Sequence, residues 1–99
     1  MTHSNWPFHD PPNLAVITLG RIIELGDPIL YVSHDSDDGG WQFLHGGDVQ
    51  MRDARVVALR EIVERDPTLL ELADLPLGWY AWRSSVSEPW IRVPHERGA

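Results

Sequence analysis

Asp35, Asp37 and Asp38, followed by Gly39 and Gly40, have the composition of the start of a calcium loop. The chemistry fails where it is most demanding. An EF-hand loop needs an oxygen ligand at its fifth position and a bidentate glutamate at its twelfth, and those positions hold Gly39 and Gly46. A solvated acidic turn is the simpler reading. The histidines do no better as a zinc site. If His34 and Trp41 face each other across a hairpin, His45 lies four residues from His34 along the sheet, about 13 Å at strand spacing. His34 is then a margin histidine stacked on Trp41. No Gly-x-Ser-x-Gly elbow or Gly-x-Gly-x-x-Gly loop occurs. The absence of cysteine removes thiolate nucleophiles, disulfides and sulfur-ligated zinc. All eight basic residues are arginine, which removes Schiff-base and P-loop lysine chemistry. No catalytic, cofactor or metal residue is assigned, and a non-enzymatic chain is expected.

What remains is binding chemistry. A net charge of −7 disfavours nucleic acid and anionic membrane surfaces and suits a basic protein partner. Trp79 and Trp82 must point to opposite faces of a strand, so at most one reaches the core there. The other is covered by residues 1–12 or left open, and an exposed Trp82 beside Arg83 is interface chemistry. The candidate partner-binding residues are therefore Asp35, Asp37, Asp38, Trp82 and Arg83. The alternative is a small-molecule-binding domain or minor enzyme whose pocket the sequence hides.

The elements that must position these residues follow from pattern. Residues 1–12 carry Pro7, Pro11 and Pro12 and are expected to form an irregular arm, which Trp6 and Phe8 would pack back onto the body. Residues 13–93 form one domain and 94–99 a tail. Strands are expected at 14–19, 29–34, 41–45, 79–84 and 90–93, with Arg21 to Leu25 ambiguous between strand and helical turn. Alternation puts Leu30, Val32, His34, Trp41, Phe43 and His45 on one inward face. Residues 54–65 carry the clearest helical period, with Asp53 as cap, an apolar stripe of Val56, Leu59, Ile62 and Val63, and a Glu61–Arg65 pair. Asp66 and Pro67 start a short second helix to about Leu72. The order predicts an α+β fold: a mostly antiparallel sheet of four to five short strands with one main and one short helix on one face. No apolar run reaches the ~20 residues of a membrane helix, and the N-terminus lacks a signal-peptide pattern. A cytoplasmic location is expected.

In order, ILYVSHD, SDDGGWQFLHG, EIVERDP and LLELADLPLGWYAWR resemble the immunity protein 33 domain family, also described as domain of unknown function 2185. The resemblance covers roughly residues 14–84. It implies a small α+β domain that neutralises a bacterial toxin in a polymorphic toxin system. The chain departs from many members at Trp82-Arg83, where they carry an acidic residue after the aromatic one.

Overall fold

The computed structural model describes residues 6–95. Its strands are β1 (Ala15–Leu19), β2 (Tyr31–His34), β3 (Trp41–Leu44), β4 (Ala54–Ala58), β5 (Trp79–Trp82) and β6 (Ile91–Pro94). The helices are α1 (Gly20–Ile23) and α2 (Leu59–Arg65), with 3-10 turns at Met51–Asp53 and Pro67–Leu72. The strands form one six-stranded sheet in the order β4-β1-β3-β2-β5-β6. Every neighbouring pair is antiparallel except β1 and β3, which run parallel in the register Ile17 to Gln42. The fold is α+β, as the element order implied.

The β2–β3 hairpin keeps the expected register, His34 opposite Trp41 and Val32 opposite Phe43. Val32 and Phe43 are wholly buried and Trp41 nearly so. Together with Val16, Leu59, Ile62, Leu69 and Leu72 they form the core beneath the sheet. Leu30 departs from the inward face: Ile29 is buried in its place, because regular alternation begins only at Tyr31. Residues 6–12 also join the body. Phe8 is buried and meets Trp41 edge-on, with ring centroids 5.4 Å apart, while Pro12 accepts a backbone hydrogen bond from Arg60. The arm thus seals Trp41 rather than Trp82. Residues 1–5, and 96–99 of the expected tail, lie outside the described residues, and Pro94 belongs to β6, opposite Trp79.

The expected helix over 54–65 needs correction. Its first half is β4, an edge strand paired with β1 from Ala54–Leu19 to Ala58–Ala15, and this supplies the sixth strand. Arg55, Val56 and Val57 suit a pleated surface, the two valines through β-branching, and β1 offers a free edge to pair with. Val56 consequently points away from the core and is 70% exposed, while Leu59, Ile62 and Val63 of α2 are buried. Asp53 caps a different helix from the one expected, its Oδ2 accepting the Arg21 backbone N–H of α1 at 3.2 Å. The contact is close enough that a Cβ on Gly20 would meet Asp53 and Arg55 atoms at 2.7 Å. The helix α2 starts instead with the Glu61 carboxylate accepting from the Ala58 backbone N–H at 3.2 Å, rather than pairing with Arg65. Asp66 does cap the following turn, accepting from Thr68 N–H, with Pro67 behind it.

Candidate functional site

One face of the sheet carries the helices and the core. Among the described residues the other is open, and strand register says which side chains occupy it, since residues opposite each other point the same way. Val56 faces Ile17, Ile17 neighbours Gln42, Leu44 faces Tyr31, Tyr31 faces Trp82, and Trp82 faces Ile91. Ser33, Tyr80 and Val93 complete the row towards the acidic loop. These strand positions hold no charged residue. Exposure is high for apolar groups: Ile17 42%, Trp82 40% and Ile91 45%. The Tyr31 and Tyr80 rings stack at the centre, 5.3 Å between centroids and 19° between planes.

The β2–β3 turn stands at one end of this face. Its backbone is closed by hydrogen bonds from Asp35 N–H to the Gly40 carbonyl at 2.8 Å and from Gly39 N–H to the Asp35 carbonyl at 2.9 Å. Gly39 adopts φ +74°, a conformation that favours glycine. Asp38 Oδ1 accepts the Gly40 N–H at 2.8 Å, and Asp35 Oδ2 accepts Gln42 Nε2–H at 2.8 Å. Asp35 and Asp38 therefore brace the turn, while Asp37 is exposed. None of the three joins the ion pairs among the described residues, which link Arg21 to Asp27, Arg55 to Glu24, Arg83 to Asp66 and Arg92 to Asp74. A cleft of about 430 Å³ lies between the turn and the sheet, lined by residues including Asp35, Asp37, Gln42, Gly78, Trp79 and His95. The electrostatics of this end reach the tyrosines. Burial pushes the Tyr31 phenol above its ordinary value, and the Tyr80 and Asp35 side chains add to the rise.

The five expected binding residues divide. Asp35, Asp37, Asp38 and Trp82 border or occupy the open face. Arg83 does not, and its expected surface role is corrected. Its side chain is 1% exposed, with Nη2 donating to Asp66 Oδ2 at 2.5 Å. Nε and Nη2 donate to the Ile29 carbonyl at 3.1 and 2.9 Å, and the guanidinium lies 4.1 Å from the Trp90 ring centroid. A charge so deep persists only when its donors are filled, and here they hold β5 to the segments before β2 and after α2. His34 is likewise committed to structure, stacked on Trp41 at 3.9 Å with Nδ1 2.7 Å from the Leu75 carbonyl. Sequence reasoning missed Tyr31, Ile17 and Ile91 as site residues. Alternation along each strand was the signal for them, but it names a shared face only after strand order is known.

Among the described residues, no three His, Asp or Glu side chains are placed to hold a metal ion, and no helix is long and apolar enough to cross a membrane. No protein-family model matches the chain, and neither a curated protein nor a solved structure matches it. The open face is left as the feature from which function can be read.

Proposed function

We propose that this chain is a non-enzymatic protein-binding module, an immunity-like protein of the cytoplasm that neutralises a toxin by covering it with the open face of its sheet. The observation that carries this reading is a six-stranded sheet that, among the described residues, is packed on one side only, with Ile17, Trp82 and Ile91 exposed on the other. Extended apolar surface on a globular domain marks a place where something docks, and aromatic centres with polar rims are the composition of such interfaces. A shallow face also fits a protein better than a small molecule, which prefers an enclosing cavity.

The test replaces exposed side chains that support no core. Parent and a Trp82→Ser/Ile91→Ser double variant are immobilised and exposed to lysate of the native host, and retained proteins are compared by mass spectrometry. The reading is supported by a protein that the parent holds and an equally stable variant loses, whose gene adjoins this one and whose toxicity is suppressed by co-expression. Identical retained sets would remove the open face from function.

A further inference from the structure

The open face also indicates what chemistry its occupant carries, an inference that rests on the protein-binding reading above. We propose that the face receives a basic protein surface, with an arginine of the partner lying across the stacked Tyr31 and Tyr80 rings and its guanidinium directed to Asp35.

Charge complementarity selects this occupant. The whole chain carries −7, and the acidic turn with Asp35, Asp37 and Asp38 stands at the end of an otherwise uncharged face. A second copy is a poor occupant on the same grounds. It would bring its own acidic turn, and the strand arginines Arg55 and Arg92 lie opposite Thr18 and Ala81, the buried residues of the covered side. Those arginines are moreover already paired with Glu24 and Asp74.

Arginine fits the centre better than lysine. Its planar guanidinium stacks on an aromatic face and still presents donors at its edge to a carboxylate. Tyr31 and Tyr80 supply a near-parallel aromatic pair, and Gln42 holds the Asp35 carboxylate through its 2.8 Å hydrogen bond. Burial first, then the Tyr80 phenol and last the Asp35 carboxylate raise the Tyr31 pKa, so the carboxylate lies within electrostatic reach of the ring pair and a cation stacked there is drawn towards it. Trp82 and Ile91 beside the pair, and Ile17 beyond Gln42, provide the apolar surround that excludes water.

The test uses the full chain and three capped hexapeptides, hexa-arginine, hexa-lysine and hexa-glutamate, followed by two-dimensional NMR. The expected result is saturable, salt-sensitive binding of hexa-arginine, with shifts at Tyr31, Gln42, Tyr80 and the Trp82 indole N–H. Hexa-lysine should bind more weakly and hexa-glutamate not at all. Asp35→Asn, which keeps an acceptor for Gln42, should melt like the parent and weaken hexa-arginine binding by roughly five-fold or more. Tyr80→Leu should do the same, and if that variant fails to fold, Asp35→Asn decides alone. The proposal is overturned if hexa-arginine does not bind, if its shifts fall on α2 or the arm, if hexa-lysine binds equally well, or if Asp35→Asn is without effect. Parent dimerisation that itself shifts these signals would give the face to a second copy. Any of these results leaves the protein-binding reading standing, because the Trp82→Ser/Ile91→Ser comparison requires no cation; identical retained sets there would sink that reading instead.

Discussion

Phe43 is wholly buried and lies nearly parallel to Trp41, with ring centroids 6.0 Å apart. Phe43→Ala should therefore destabilise by about 3–5 kcal/mol, a large share of a small domain's stability. Chemical denaturation measures this, and a midpoint close to the parent's would deny Phe43 its place in the core. Arg83→Ala should cost a similar amount, about 3–5 kcal/mol, since it removes the ion partner of Asp66 and empties the Ile29 carbonyl. Arg83→Lys should recover only part of that, because an ammonium cannot reproduce the planar fork or the stack on Trp90. A fully stable Arg83→Ala would contradict the buried network. Tyr31 gives a pH signature. Its folded pKa is raised above the unfolded value near 10, so its contribution to stability is complete below that value and is lost as pH rises towards the folded pKa. Tyr31→Phe should flatten the decline of stability in that alkaline window, as read by melts from about pH 9 upward. The sequence made Val32, Trp41 and Phe43 legible because one hairpin and strict alternation determine all three. Arg83 was illegible because charge argues for the surface, and only its convergence with Asp66, Ile29 and Trp90, the first two distant along the chain, reverses that.

At the level of elements, residues 54–65 are the instructive segment. Their apolar positions satisfy a helical period, yet the chain extends through Ala58 and coils only afterwards. Local pattern is indifferent to this choice; the free edge of β1 decides it. Two substitutions separate the alternatives. Val56→Thr should change stability by no more than about 0.5 kcal/mol, as expected at an exposed strand position. Leu59→Ala should cost about 2–5 kcal/mol. If both proved equally damaging, Val56 would belong to a buried helical stripe and β4 would be wrong. The strands at 31–34, 41–44 and 79–82 were readable, being short β-rich runs bounded by turn residues. The open face was not. It exists only through the order β4-β1-β3-β2-β5-β6, which brings Ile17, Tyr31, Tyr80 and Ile91 together from four strands, and no local pattern encodes which strands become neighbours.

Across the whole molecule, charge and connectivity have separate consequences. Changing Asp37 and Asp38 to Asn should leave the melting temperature nearly unchanged or slightly raised. The amide put in place of the Asp38 carboxylate retains an oxygen for the Gly40 N–H, and one source of like-charge repulsion is relieved. Association with a basic partner should slow, with most of the difference disappearing in high salt; stopped-flow rates at low and high ionic strength provide the check, and parental rates at low salt would remove the turn from steering. Connectivity matters in another way. The sheet consists of two antiparallel ribbons, β4-β1 and β3-β2-β5-β6, joined by the single parallel register of Ile17 with Gln42 and bolted below by Thr18 Oγ1–H donating to the Phe43 carbonyl at 2.8 Å. Parallel pairing is the weaker kind, so this joint is where the native sheet should part in partial opening, ahead of global unfolding. Amide hydrogens of β1 that face β3 should accordingly exchange with solvent faster than those of the β2–β3 hairpin. An occupant reaching from Trp82 to Ile17 would span both ribbons and splint the joint, so that binding would register as slowed exchange in β1, a strand it need touch only at Ile17.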